Sequence, residues 1–97
     1  MMDIPIKTVM AVLVDNRKKE AVQVQKILTE WGCLIKTRLG LHEGTLDQCS
    51  DSGLIILELV GNPDQHVQLC ERLNTLPGVV AKYMTLSINE EVSKCQN

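Results

Sequence analysis

The residues with the widest chemical range in this 97-residue chain are its two histidines and four cysteines. His42 and Cys49 flank a polar stretch that also carries Glu43, Asp47 and Asp51. Imidazole, thiolate and carboxylate together make a donor set that a transition metal accepts. Their spacing matches no compact metal motif, so a polar surface loop with an incidental His and Cys is the competing reading. His66 follows Gln65 near the start of a helical stretch and reads as lying on its exposed side. Cys70 reads as a small buried hydrophobe. No cysteine belongs to a C-x-x-C pair, and the wide, irregular spacing of Cys33, Cys49, Cys70 and Cys95 reads as free thiols in a reducing cytoplasm.

Charge gives a second set of candidates. Arg17, Lys18 and Lys19 crowd the expected first turn of a helix, next to Asp15, Asn16 and Glu20. Cations there oppose the helix dipole, and an anion could use both the side chains and the free N–H groups. The segment lacks the glycines that let a phosphate approach the backbone, so a solvated basic patch explains it as well. No paired-carboxylate, Ser-His-Asp or Cys-His arrangement is supported by spacing, and the chain is expected not to be an enzyme. No cofactor is implied.

Composition narrows the partners. The formal charge of -2 gives no general attraction to nucleic acid or an anionic membrane. With Trp31 and Tyr83 as the aromatics and no Phe, the central strands lack the rings on which RNA-binding sheets stack bases. The N-terminal stretch has no positive n-region, and the apolar runs are too short to span a membrane. A cytoplasmic protein is expected.

These residues must be positioned by a small α+β unit. Residues 6–14 are β-branched and apolar and read as strand one. Helix one follows from about residue 17 to 31, with Ala21, Val24, Ile27, Leu28 and Trp31 on one face and Gly32 as its stop. Strand two covers residues 33–41 and alternates. Residues 42–53 read as a long hairpin connection. Strand three is the apolar run 54–60 between Gly53 and Gly61. Asn62 then caps helix two, with Pro63 in its first turn and Leu69, Cys70, Leu73 and Leu76 inward. Pro77 and Gly78 turn the chain into strand four, residues 79–88. The order β-α-β-β-α-β is ferredoxin-like: a four-stranded antiparallel sheet with two helices on one face. It spans residues 6–88, with a lead-in at 1–5 and a polar tail at 89–97.

Strands one and three would be central in that sheet, and both are apolar at nearly every position. Something must therefore cover the face without helices. A second copy is the simplest cover, with Val12 and Ile56 marking the oligomer face.

Several segments together carry a resemblance. They are Val12-Leu13-Val14-Asp15-Asn16-Arg17, Arg38-Leu39-Gly40-Leu41, Ser52-Gly53-Leu54-Ile55-Ile56-Leu57, Leu73-Asn74-Thr75-Leu76-Pro77-Gly78-Val79 and Ala81-Lys82-Tyr83-Met84. Over about residues 6–88 the chain resembles the small regulators of the iron-only hydrogenase system, which look like stand-alone ACT-type domains. The resemblance implies a homo-oligomer, dimer or tetramer, with a regulatory role and no catalysis. It places a small effector near Asp15, Asn16 and Arg17, with Arg38 from the Arg-x-Gly segment. The turn after strand one departs from the amino-acid-binding pattern because it contains no Gly. The fold is also similar to the metal-sensing domain of the nickel-responsive repressor, but strand three has neither the histidines nor the cysteine of that site. Without a DNA-binding segment, such a regulator would act through a partner protein. Three readings stand: an effector-binding or partner-modulating regulatory domain, a metal-responsive module using His42 and Cys49, and a structural oligomeric adaptor.

Overall fold

The structure is a computed structural model that describes residues 6–15, 18–45 and 48–88, with the backbone alone for residues 41–45 and 48–51. The elements run β1 (Ile6–Asp15), α1 (Ala21–Glu30), a 3-10 turn (Gly32–Leu34), β2 (Ile35–Thr45), β3 (Gln48–Leu59), α2 (Pro63–Asn74) and β4 (Val79–Ser87). The sheet is four-stranded and antiparallel in the order β2-β3-β1-β4, the ferredoxin-like arrangement that the element order implies. The expected lead-in and tail lie outside the described residues.

β1 and β3 are central because they are the most apolar strands. Their pairing is regular from Thr8 opposite Leu59 to Asp15 opposite Ser52. β4 closes the other side of β1, from Ile6 opposite Ser87 to Val14 opposite Val79. Successive side chains alternate between faces. Met10, Val12, Val14, Leu57, Leu59, Val79 and Ala81 point to the helices and join Val24, Ile27, Leu28, Leu69 and Leu73 in one core.

Several expectations need correction. First, α1 begins at Ala21, not near residue 17. Lys19 has a φ of 58°, a left-handed conformation that a helix interior does not contain. The basic residues therefore precede the helix, and its first turn carries no cation from this cluster. Second, residues 42–45 and 48–53 are strand rather than loop. β2 continues to Thr45, β3 starts at Gln48, and the two pair as far as Thr45 opposite Gln48. The polar sequence hid the strands because a ribbon beyond the core has no apolar face to advertise. Cys33 lies in the 3-10 turn rather than a strand, and is exposed.

Third, Val12 is not on an oligomer face. It is fully buried under the helices, whereas Ile56 stands on the opposite face in register with Ala11. One residue of register separates the two faces, and mid-strand position alone does not choose between them.

Two turns are set by backbone chemistry. Asn62 caps α2, its side-chain oxygen accepting from the N–H of Asp64 at 2.8 Å, with Pro63 as the first helical residue. Gly78 has a φ of +72°, and a Cβ there would lie 2.5 Å from Cγ of Lys18. The carbonyl of Gly78 accepts from the N–H of Asp15 at 2.7 Å, tying the end of β1 to the start of β4.

Candidate functional site

A cleft of about 660 Å³ opens between the N-terminal half of α2 and the sheet, beside the start of β1. Each wall has a local cause. β3 ends at Leu59, and the positive φ of Gly61, +88°, turns the chain into α2. The Asn62 cap then fixes Pro63, Asp64, His66 and Val67 along one side of the cleft. Thr8 on β1 and Tyr83 and Thr85 on β4 line it from the sheet, because these odd positions of β4 and even positions of β1 point to the helices. Lys7 and Glu58 border the cleft where β1 and β3 pass beneath it, with their side chains turned to the helix-free face.

The polar groups here and on the adjoining sheet face each have a partner. The hydroxyls of Thr8 and Thr85 lie 3.2 Å apart, and Thr8 is 6 % exposed. Nε2 of His66 is 2.8 Å from the carbonyl oxygen of Val60. A carbonyl only accepts, so Nε2 carries the proton and a neutral ring keeps its lone pair on Nδ1. The ammonium of Lys7 donates to Glu58 at 3.2 Å, and Oγ1 of Thr37 donates to the other carboxylate oxygen at 3.2 Å. The Lys7 hydrogen bond, helped by Thr37, holds the Glu58 carboxyl below the usual range. The cleft is walled by Ile6, Leu59, Val60, Pro63 and Val67 around the Thr8, Thr85 and His66 groups, whereas the Lys7–Glu58 pair lies on the helix-free face. Such a lining suits a small ligand with an apolar body and one polar end.

Sequence reasoning missed this place. His66 was expected on the exposed side of α2, yet it is 5 % exposed. The signal was present: positions 66, 69 and 73 follow the three- and four-residue steps of one helix stripe, the stripe of Leu69 and Leu73. Thr8, Tyr83 and Thr85 carried no such signal, since strand polarity alone does not reveal what packs above.

Of the expected effector residues, Asp15 and Arg38 lie elsewhere. Asp15 ends β1, at the opposite end of that strand from Lys7 and Thr8, roughly 20 Å away at the rise of an extended chain. Asn16 and Arg17 lie outside the described residues. Arg38 is exposed on β2, in register with Leu57 and through it with Met10. It is thus two strands and five residues of register from Asp15, and the two do not form one site. His42 is opposite Gly53 and Cys49 opposite Gly44, on either side of an irregularity in the ladder. Their side chains lie outside the described residues. Among the described residues, no group of three or more His, Cys, Asp or Glu side chains is placed to hold a metal.

Cys33 and Cys70 are free thiols. Cys70 is partly buried against the core as expected, and its Sγ donates to the carbonyl of Ala81 at 3.3 Å. Burial pushes its pKa up, which favours the thiol over the thiolate.

The face opposite the helices carries an exposed apolar patch, beside which stand Lys82 and the Lys7–Glu58 pair. Leu13, Leu39, Val80, Met84 and Leu86 are each about half exposed on it, around the more enclosed Ala11, Leu54 and Ile56. Among the described residues, no helix is long and apolar enough to cross a membrane.

No family model matches the chain, and no curated protein matches it. Solved structures do. The uncharacterized protein TM1266 from Thermotoga maritima is similar at 21% identity and a TM-score of 0.65, covering 88% of this chain and 100% of that one. CPII from Thiomonas intermedia, described as a nitrogen regulatory PII-like protein bound to ADP, AMP and bicarbonate, is similar at 7% identity and a TM-score of 0.57, covering 93% and 100%. A dimeric ferredoxin-like protein from an uncultured marine organism is similar at 10% identity and a TM-score of 0.50, covering 91% and 99%. These likenesses establish a ferredoxin-like fold shared with PII-like proteins.

Proposed function

We propose that the chain is a non-catalytic regulatory domain, ACT-like or PII-like in design, that self-associates and reads a small effector. The observation that carries this reading is the uncovered apolar face of the sheet. Covering its half-exposed side chains would contribute on the order of 1 kcal/mol apiece, enough in sum to hold copies together. Oligomeric regulation also suits the cleft, whose walls come from α2 and from the edge strand β4.

The effector class follows from the lining: a compact molecule with an apolar or ring-shaped body and a polar end. CPII, of similar fold, is bound to adenine nucleotides, and ACT-type domains take amino acids, so both classes belong in the first screen. A thermal-shift screen with ADP, AMP and the amino acids is expected to raise the melting temperature by a few degrees for a true ligand. The shift should vanish in Thr85→Val if the ligand sits in the cleft. If the shift is instead lost on Asp15→Ala or Arg17→Ala, the effector belongs at the end of β1. A screen with no shift at millimolar ligand sinks effector binding and leaves a structural adaptor.

The sequence resemblance supports a finer reading, a link to the iron-only hydrogenase system through a partner protein. Deleting the chain should then change hydrogenase expression or activity in cells that make the enzyme, and unchanged hydrogenase would remove the link.

A further inference from the structure

Charge is distributed unevenly around the cleft. Among the described residues that border it, Lys7 is the one cation, and its ammonium lies on the helix-free face in the pair with Glu58. Asp64 is the remaining formal charge of the lining, and among the described residues its carboxylate has no ion-pair partner. The N-terminus of α2 offers an anion no compensation, because its opening positions are closed. Pro63 has no N–H, the Asp64 N–H donates to Oδ1 of Asn62 at 2.8 Å, and the Gln65 N–H donates to the Asn62 carbonyl at 3.0 Å.

Hydrogen bonding points the same way. His66 is buried, and its Nε2–H donates to the Val60 carbonyl. In the neutral ring Nδ1 then holds a lone pair that no donor among the described residues reaches. Among the described residues, no side-chain nitrogen or oxygen is both sealed from solvent and without a partner. Nδ1 therefore opens on free space, and the space that His66 lines is the cleft. Thr8 and Thr85 add hydroxyl oxygens, with lone pairs beyond the one that their 3.2 Å contact uses. The helix side of the cleft thus gathers an imidazole nitrogen, hydroxyl oxygens and a carboxylate, and no ammonium or guanidinium among the described residues.

We propose that the polar end of the molecule this cleft takes is an amine in its ammonium form, received by Nδ1 of His66, with its apolar body against Ile6, Leu59 and Val67. The proposal rests on the effector reading above and gives that effector its charge. An ammonium carries three donors and no acceptor, the complement of a lining that supplies acceptors. A carboxylate or phosphate in the same place would meet the Nδ1 lone pair and the Asp64 charge with no cation to offset them. A polyamine, charged along its length, gains nothing from the aliphatic walls, so the ligand is a monoamine with an alkyl or aryl body. The cleft volume of about 660 Å³ lies in the range of small-molecule sites. Of the classes in the first screen, an amino acid enters ammonium first and leaves its carboxylate in water, whereas a nucleotide has no ammonium to offer.

Phenethylamine, phenethyl alcohol and 3-phenylpropionate share one body and differ in the charge at its end. Each is titrated into the protein in mildly alkaline buffer, with binding read from the melting temperature and from the nitrogen resonances of the His66 ring. Phenethylamine should move the Nδ1 resonance and raise the melting temperature, and 3-phenylpropionate should do neither. His66→Gln brings an N–H to the Val60 carbonyl but no acceptor to the Nδ1 position, so amine affinity should fall about tenfold or more in a variant whose circular dichroism is unchanged. Asp64→Asn, at an exposed position, should weaken the amine about two- to fivefold and leave the alcohol unaffected, which decides the matter if His66→Gln folds poorly. Binding of the alcohol or the propionate as tight as that of the amine, or wild-type amine affinity in the folded variants, overturns the proposal. Silence from all three probes at millimolar concentration overturns it too. In that case a first-screen ligand whose shift is lost in Thr85→Val leaves the effector reading standing, and a screen without any shift removes both.

Discussion

The imidazole of His66 joins the first turns of α2 to the segment just past β3, through the carbonyl of Val60. His66→Ala removes that bond and opens a cavity beside Leu59 and Val67. A loss of about 2–3 kcal/mol is expected from the two effects together, read as a lower urea midpoint with unchanged slope. Glu58 gives a prediction in pH. Its pKa is lowered in the folded state, chiefly by the Lys7 ammonium and also by Thr37. The unfolded chain therefore binds the proton more readily, and the stabilising contribution is full above about pH 4.3 and lost as pH falls through the lowered value. Glu58→Gln should flatten this acid limb of the stability curve and change little at pH 9 beyond the loss of an exposed ion pair. Unfolding curves measured from pH 2 to pH 7 decide it; an acid limb as steep as the wild type's would contradict the assignment.

At the scale of elements, the signals that worked were those with a single physical meaning. Asn62-Pro63 can hardly be anything but a helix start, and α2 begins there. Asn62→Ala is expected to cost about 1 kcal/mol in denaturant unfolding. Gly78 is constrained twice, by its positive φ and by the stem of Lys18, so Gly78→Ala should cost about 1–3 kcal/mol and loosen the contact between β1 and β4. Elements whose polarity is not tied to the core were misread. The outer parts of β2 and β3 looked like a loop, and the basic run before α1 looked like its first turn. The sequence of β1 showed that both its faces are apolar, yet could not say that Val12 rather than Ala11 turns to the helices. That choice comes from packing against α1 and α2, a non-local fact. The candidate site suffered most, because Thr8, His66 and Thr85 come from three elements and meet only once the sheet order is known.

At the scale of the molecule, the helices cover one side of the sheet and leave a mostly apolar patch exposed on the other. Leu13→Lys should lower the mass seen by light scattering if that side is buried between copies, while raising solubility and leaving the circular dichroism spectrum intact. An unchanged mass would place the interface elsewhere. The pairing of Ile6 with Ser87 has a consequence of another kind. It brings the two ends of the folded unit side by side, on neighbouring strands about 5 Å apart. A unit whose ends meet can hang from another chain at one point, or be inserted within one, without opening its core. It can also be rewired: a permuted chain that joins the old ends by a short linker and begins at β3 keeps every strand neighbour. Its folding to the same spectrum would show that the order of the sheet, rather than the order of the gene, defines this domain.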